Sequence, residues 1–179
     1  GTIGRRVIDP TDPQRIWVAV SGNLFVPGGQ RGVYLSTDGG DSWQRSLKPP
    51  NRTTGGVDIT IDPGDSDHVI ASMWDHLRQP DDRQYTGVGS GIWETHNGGT
   101  TWTRPGTAQG LPASSADTGR IGIAFAPSDS DRMYAIYAND ASGAFQNCFT
   151  SDDNGASWTR PAGAGSLGGS QSTYGWWFG

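Results

Sequence analysis

The stretch YLSTDGGDSW at residues 34–43 decides the fold, because its pattern occurs twice more in the chain. The second copy is WETHNGGTTW at 93–102, and the third is FTSDDNGASW at 149–158. We call these stretches box 1, box 2 and box 3. Their closing tryptophans lie 59 and then 56 residues apart. An internal period of this length predicts an architecture of repeated supersecondary units.

Each box carries a hydroxyl residue, an Asp or Asn, a glycine, a second hydroxyl residue and a tryptophan at the same offsets. Glycine permits backbone conformations that a Cβ would penalise, and the short polar side chains can accept hydrogen bonds from N–H groups of a turn. We interpret the boxes as structural turns whose tryptophans pack against a sheet; the alternative is a sugar-stacking tryptophan in each box. The residues are Ser36, Asp38, Gly40, Ser42, Trp43, Thr95, Asn97, Gly99, Thr101, Trp102, Ser151, Asp153, Gly155, Ser157 and Trp158.

A strand–turn–strand pattern precedes each box. It reads GRRVIDPTDPQRIWVAV at 4–20, GVDITIDPGDSDHVIASMW at 56–74 and GRIGIAFAPSDSDRMYAIYA at 119–138. The proline in each copy presets φ at the turn, and the β-branched and aromatic residues on both sides favour strands. Since the box turns a third strand into a fourth, each unit is expected to contain four strands.

Four-stranded antiparallel units in tandem are typical of a β-propeller. The sequence therefore predicts an all-β fold, a propeller segment of three four-stranded antiparallel blades plus the start of a fourth. The predicted blades cover about 4–49, 55–105 and 119–161, and 162–179 forms a linker and the start of blade 4. A propeller closes only with about four to eight blades. We therefore expect the remaining blades to come from the same chain, as part of a longer protein, or from another chain.

Composition excludes several classes of function. The 28 glycines and 11 prolines disfavour helices. The net charge of −5 and the lack of a basic cluster argue against a nucleic acid partner. No apolar run approaches the ~20 residues that a transmembrane helix needs. Cys148 is the only cysteine and is expected to be a small buried thiol.

The boxes resemble the Asp-box (BNR) repeat, Ser-x-Asp-x-Gly-x-Thr-Trp, of sialidases, xyloglucanases, sortilin-type receptors and photosystem-assembly propellers. Box 1 departs from that pattern at Ser42 and box 2 at Asn97, and both residues keep the hydrogen-bonding role. The whole chain resembles the large bacterial secreted propellers related to the sortilin-type and xyloglucanase-like families. The resemblance implies a propeller fold and an extracytoplasmic location, whether secreted, periplasmic or cell-surface.

Ligands of propellers usually bind where the loops between strands two and three, and between successive blades, converge. The richest such loop here is MWDHLRQPDDRQYTGVG at 73–89. It combines aromatic rings with carboxylates and arginines, which suits a polysaccharide or a peptide; the alternative is a solvated long loop. The predicted ligand-binding residues are Trp74, Asp75, His76, Arg78 and Tyr85.

A glycosidase needs two carboxylates that flank the scissile bond. The candidates here are Asp58, Asp75 and Asp117, although Asp58 could equally be a structural partner of Arg5, Arg6 or Arg120. The arginine triad and Tyr–Glu pair of sialidases are not recognisable, nor are the catalytic aspartate motifs of xyloglucanases. We therefore expect no hydrolase activity on β-glucans and sialosides from this chain by itself.

No cofactor is predicted. His68, His76 and His96 are dispersed without metal-ligand spacing, so no metal site is expected. The turn carboxylates could hold Ca²⁺ adventitiously. At the C-terminal end, four aromatic residues stand within five positions and predict an interface with the next blade or another subunit. They are Tyr174, Trp176, Trp177 and Phe178.

Two functional hypotheses follow. The first is a non-catalytic propeller that binds protein or glycan through its loop face, or acts as a scaffold. The alternative is a segment of a xyloglucanase-like glycoside hydrolase that acts on polysaccharide. A pair of facing carboxylates at the channel mouth would distinguish them.

Overall fold

A computed structural model of the chain describes residues 1–81, 83–139 and 144–164. The predicted interface aromatics at 174–178 lie outside these residues. Twelve strands and one short 3-10 turn, Thr107–Gln109, make up the described secondary structure. The strands are β1 (Thr2–Ile8), β2 (Ile16–Gly22), β3 (Gly32–Ser36), β4 (Gln44–Leu47), β5 (Thr54–Ile61), β6 (Val69–Asp75), β7 (Leu77–Arg78), β8 (Arg83–Gln84), β9 (Gly91–Thr95), β10 (Thr118–Ala126), β11 (Asp129–Asn139) and β12 (Ala144–Ser151). The prediction of an all-β fold is confirmed.

Three antiparallel sheets follow one another along the chain and correspond to the three predicted blades. Blade 1 has the strand order β1-β2-β3-β4, blade 2 has β5-β6-β9, and blade 3 has β10-β11-β12. A two-stranded ribbon, β7-β8, stands in the loop between β6 and β9. Each blade is thus an up-and-down meander, as the repeated pattern predicts.

The fourth strand is complete only in blade 1, where β4 pairs with β3. In the other two blades it is reduced to single bridges, Glu94 with Thr103 and Thr150 with Thr159. The expected fourth strand of blade 3 is therefore one residue pair. The reason is local: Pro105 and Pro161 stand two residues beyond these bridges, and proline has no N–H to continue a ladder.

The apolar core lies between the blades. Between blades 1 and 2, Trp17, Ile59 and Met73 are wholly buried. Between blades 2 and 3, Ile121 and Phe149 belong to a second buried cluster. Face-to-face packing of sheets buries the inward-facing side chains of both partners. Each blade therefore gains its stability from its neighbours.

The box tryptophans reach back to the blade before their own. Trp102 of box 2 meets the ring of Trp17 edge-on, with centroids 6.0 Å apart, and its indole N–H donates to Ser46 Oγ of blade 1 at 3.0 Å. Trp158 of box 3 is 5% exposed and packs in the cluster with Ile70 of blade 2.

Trp43 differs, since 43% of its surface is exposed. The prediction that all three box tryptophans are buried is wrong for this one. Its indole N–H donates only to Gly40 O of its own turn, at 3.0 Å. The physical reason is that no sheet covers the outer side of blade 1 within the described residues.

The first strands of the three blades, β1, β5 and β10, lie side by side. β1 approaches β5 so closely that a Cβ on Gly4 would lie 2.5 Å from the carbonyl oxygen of Val57. Asp58 on β5 accepts hydrogen bonds from Arg5 of β1 and from the backbone N–H of Ile123 on β10, both at 3.0 Å. One carboxylate thus joins all three blades.

Candidate functional site

The loops that join strands two to three, and each blade to the next, emerge at one edge of the sheets, which we call the loop face. The opposite edge carries the three boxes and the Pro-Asx turns. The β7-β8 ribbon belongs to the loop face, and the backbone N–H of Arg78 donates to Leu24 O in the blade 1 loop at 2.7 Å. The loops of blades 1 and 2 therefore form one continuous surface.

The predicted ligand-binding residues divide into an interior and a surface group. Trp74, Asp75 and His76 are buried, whereas Arg78 and Tyr85 are half-buried. The rings of Trp74 and His76 stack at 4.2 Å, and the Trp74 indole donates to Tyr85 O at 2.6 Å. The Arg78 guanidinium lies 5.3 Å from the centre of the Tyr85 ring. Of the five predicted residues, Arg78 and Tyr85 are therefore the two that are partly exposed to solvent.

Asp75 is a hydrogen-bond hub for the loops. Its carboxylate accepts bonds from Asn51 Nδ2 at 2.8 Å, Thr53 Oγ1 at 2.5 Å, Gln84 Nε2 at 2.9 Å and Gly89 N at 3.2 Å. Both carboxylate oxygens are engaged by these donors. Such geometry fits a structural anchor, because a catalytic carboxylate must be able to reach substrate.

The other two catalytic candidates have different surroundings. Asp58 lies among the inner strands, where its side chain is 13% exposed and pairs with Arg5. Burial lowers the pKa of the nearby Arg120 guanidinium, and the charge of Asp58 raises it in part. Asp117 lies exposed in the turn before β10, on the loop face. The structure therefore gives Asp58 the structural contacts and leaves Asp117 facing solvent.

Arg31 makes the blade 1 loop rigid. Its buried guanidinium donates to five backbone carbonyls, those of Ser21, Asn23, Val26, Gly28 and Thr53. Burial lowers the pKa of this group, while the charge of Asp75 acts in the opposite direction. The loop so fixed presents Phe25 and Val26, which are 63% and 56% exposed. An exposed ring on a rigid loop is a suitable platform for a sugar face.

A groove of about 290 Å³ lies between blades 2 and 3 on the loop face. Its lining combines serine and threonine hydroxyls, two prolines, the Tyr137 ring and the Arg104 guanidinium. Arg104 lies 4.5 Å over the Trp93 ring and donates to Ser114 Oγ at 2.6 Å. Burial lowers the pKa of Arg104 and raises that of Tyr137, so Tyr137 stays a neutral phenol. Hydroxyls and apolar rings side by side suit a polyol ligand.

The three boxes share one hydrogen-bond pattern. In box 1 the Ser36 hydroxyl donates to Asp38 at 2.7 Å and accepts from Gly40 N at 2.9 Å. Asp38 in turn accepts from the backbone and hydroxyl of Ser42, at 2.9 and 2.5 Å. These bonds, led by the Ser42 hydroxyl, lower the pKa of Asp38 to about 2. The same bonds hold Asp153 in box 3. In box 2, Asn97 Oδ1 likewise accepts from the Thr95 hydroxyl and the Thr101 backbone, but its Nδ2 donates to Thr101 Oγ1 at 2.8 Å.

Sequence reasoning missed a cluster at the box edge of blade 2. The His68 and His96 rings stack at 4.1 Å, and Glu94 Oε1 lies 2.8 Å from His68 Nε2 and 3.4 Å from His96 Nε2. Burial alone would lower the pKa of His68, but its bonds to Glu94 and Asp62 and their charges raise it. The missed signal is strand register: Val69 pairs with Thr95, which brings the next residues, His68 and His96, opposite each other.

These features define the class of protein as a β-propeller segment, and the comparisons with known proteins agree. No protein-family model matches the chain. A xyloglucanase of Paenibacillus sp. is 29% identical over 173 residues; the match covers 84% of this chain and 15% of that protein. The chain therefore spans about one seventh of the curated relative that it matches.

Two solved structures share the fold. The GH74 xyloglucanase from Xanthomonas campestris has a TM-score of 0.63 and 22% identity, over 88% of this chain and 21% of that one. An ancestral GH74 enzyme has a TM-score of 0.62 and 20% identity, over 90% of this chain and 18% of that one. In the described part of the chain, no helix is long and apolar enough to cross a membrane.

Proposed function

We propose that the chain is a three-blade segment of an extracytoplasmic, xyloglucanase-like glycoside hydrolase, and that its loop face contacts a β-glucan chain. The observation that carries the proposal is the similarity to a xyloglucanase across 84% of this chain. The groove between blades 2 and 3 and the rigid Phe25 loop agree with it, because both lie on the face where propeller loops converge. The boxes are then repeats of the Asp-box type.

The chemistry of glycoside hydrolysis suggests how this segment contributes. A retaining enzyme holds its two carboxyl groups ~5–5.5 Å apart and an inverting one ~6.5–9.5 Å apart. Asp58 and Asp75 are held by structural hydrogen bonds. Asp117 is the candidate carboxylate that faces the solvent of the loop face. We therefore assign binding residues to this segment and expect a complete acid–nucleophile set to require further blades.

A second candidate function is a non-catalytic propeller that binds glycan or protein through the same face. The hydrogen bonds of Asp58 and Asp75 favour this second function, since the carboxylate oxygens of both residues already accept protein N–H groups and neither carboxylate is placed to transfer a proton to a substrate. Both candidates place the ligand at the loop face. They differ in hydrolysis, which only the first predicts once the other blades are present.

Affinity electrophoresis of the chain in gels containing soluble xyloglucan tests the proposal. We expect retardation by xyloglucan, and a several-fold weaker effect for Phe25→Ala, because a sugar–aromatic contact is lost. Ile8→Ala is the matched control, since Ile8 is a similarly exposed apolar residue, 53% against 63%, at the opposite edge. Absence of retardation, or equal losses in the two variants, would contradict glycan binding at the loop face.

Hydrolysis is measured separately, as release of reducing ends from xyloglucan. The chain alone is expected to release none. Turnover that Asp117→Asn abolishes and Asp41→Asn preserves would show instead that the segment is catalytic by itself. Asp41 is a suitable control because it is an exposed aspartate in box 1, away from the loop face.

A further inference from the structure

We propose that His68, Glu94 and His96 form a binding site for a divalent transition metal of the zinc class. The site lies at the box edge of blade 2, opposite the loop face, and goes beyond the glycan function proposed above. One ligand atom from each residue lies within 4.8 Å of the other two. Two imidazoles and a carboxylate form a ligand set that zinc uses in proteins, with water as a fourth ligand.

The distances are close to those that a tetrahedral metal ion requires. Zinc bonds of about 2.0–2.2 Å place neighbouring ligand atoms about 3.3 Å apart. His96 Nε2 and Glu94 Oε1 are already 3.4 Å apart, and the 2.8 Å between His68 Nε2 and Glu94 Oε1 must open by about 0.5 Å. A small rotation of the Glu94 side chain opens this distance, and the exposed His96 ring must also turn out of its stack with His68, from which it is inclined by only 18°, so that both Nε2 atoms point at the ion.

A second carboxylate orients the buried ligand. His68 Nδ1 lies 3.0 Å from Asp62 Oδ2, and both side chains are almost wholly buried. Asp62 is itself fixed, because its Oδ1 accepts the backbone N–H of Gly64 at 2.8 Å. Metal-binding histidines usually donate their other N–H to such a carboxylate. Asp62 therefore keeps a proton on Nδ1 and directs Nε2 at the cluster, where the metal takes the place of the Nε2 proton.

An entry path and room for a water ligand are present. The His96 side chain is 58% exposed, and a cavity of about 270 Å³ borders Glu94 and His96. Asn154 also lines this cavity, and its Oδ1 is buried with no hydrogen-bond partner among the described residues. A metal-bound water could donate to this oxygen, which otherwise lacks a partner. Neighbouring Gly155 approaches so closely that a Cβ there would lie 2.6 Å from Glu94 Oε1.

The ligand types identify the metal class. Ca²⁺ takes six to eight oxygen ligands, whereas imidazole suits zinc, copper, nickel and iron. The site therefore differs from the adventitious calcium sites that the turn carboxylates suggest. Without metal, the same residues form an Asp62–His68–Glu94 hydrogen-bonded chain, and an experiment can distinguish the two roles.

The test titrates chelator-treated chain with Zn²⁺ by calorimetry and with Co²⁺ by visible absorption. We expect one equivalent to bind and the Co²⁺ complex to show the intense bands of a four-coordinate ion. His96→Ala should weaken binding at least tenfold and should fold normally, because the ring is exposed. Thr37→Ala is the matched control, since Thr37 holds the same position in box 1 as His96 in box 2.

Three results would overturn the proposal: no stoichiometric binding, a weak six-coordinate Co²⁺ spectrum, or equal affinities of the wild type and His96→Ala. The variant Glu94→Gln keeps a hydrogen-bond acceptor for His68 but loses the carboxylate. Its thermal stability without metal therefore separates the role of Glu94 in the hydrogen-bonded chain from its role as a metal ligand. We expect that variant to stay folded and to lose Zn²⁺ affinity. Retention of that affinity would also contradict the proposal. None of these outcomes bears on glycan binding, which is measured at the opposite edge.

Discussion

At the scale of single residues, polar side chains that resemble ligand contacts in the sequence are largely internal supports. Asp75 receives four hydrogen bonds from two loops, and Arg31 donates to five carbonyls. Loops have many backbone groups without ladder partners, and buried polar groups must be satisfied. A charged residue in a long loop is therefore as suited to organising the loop as to binding a ligand.

His76 leads to a prediction about acid stability. Its ring is fully buried, and burial is the main cause that lowers its pKa to about 4. Between pH 6.5 and 4 the unfolded chain binds a proton that the folded chain excludes, so stability falls as pH falls through this window. At pH 5, His76 is expected to lower the free energy of unfolding by about 2 kcal/mol.

Urea unfolding at pH 7 and pH 5 measures that loss, with His76→Asn as the comparison. Asparagine can still donate to Trp74 O, which His76 Nδ1 faces at 3.0 Å, but it does not titrate. The variant should lose less stability on acidification than the wild type. Equal losses in the two proteins would show that His76 is not kept neutral in the fold.

At the scale of the elements, boxes 2 and 3 each join two blades. In each of these two, the hydroxyl and Asp or Asn close the turn locally, and the tryptophan extends to the preceding sheet. Ser46 Oγ of blade 1 both donates to Gly99 O at 2.7 Å and accepts from Trp102 at 3.0 Å. The same short motif therefore ends a strand and aligns neighbouring blades.

This division of roles predicts unequal effects of three similar substitutions. Trp158→Ala should destabilise the chain by about 3–5 kcal/mol, as for other buried large aromatics. Trp43→Ala should cost much less, because Trp43 is 43% exposed and bonds only within its turn. Trp102→Ala, half-buried against Trp17, should lie between them. Denaturant unfolding gives the order, and equal costs would contradict packing across blades as the cause.

At the scale of the whole molecule, blade 1 and blade 3 each have an outer side that no other blade covers within the described residues, and each exposes an aromatic ring there. Trp17, Ile70 and Tyr134 hold equivalent positions on the second strands, one residue after the partner of the first hydroxyl residue of each box. The next blade covers Trp17 and Ile70, whereas Tyr134 of blade 3 is 40% exposed. Blade 1 exposes Trp43 at the other end. These are the surfaces that further blades of the proposed propeller would cover.

Substitution of Asp58 measures how much its hydrogen bonds between β1, β5 and β10 contribute to the stability of the chain. Asp58→Ala removes the acceptor of Arg5 and of the Ile123 N–H, and an unsatisfied partly buried donor costs about 1–3 kcal/mol. Asp58→Asn keeps an oxygen acceptor and should cost less. Asp117→Asn, in an exposed turn, should have little effect on urea unfolding. If Asp58→Ala is as stable as the wild type, the carboxylate does not hold the blades together.

The sequence by itself determined the strands, the turns and their threefold repetition. Alternation, proline turns and the boxes act over a few residues, so they can be read locally. The repeat pattern led us to expect a full fourth strand in every blade, and the shortening at Pro105 and Pro161 became clear only from the structure. The tertiary structure decided which box tryptophans are buried, which carboxylates are engaged, and that His68 meets His96 and Glu94. Those outcomes depend on strand register within blade 2, on how the loops close around Asp75 and on contacts between blades, none of which a short pattern encodes.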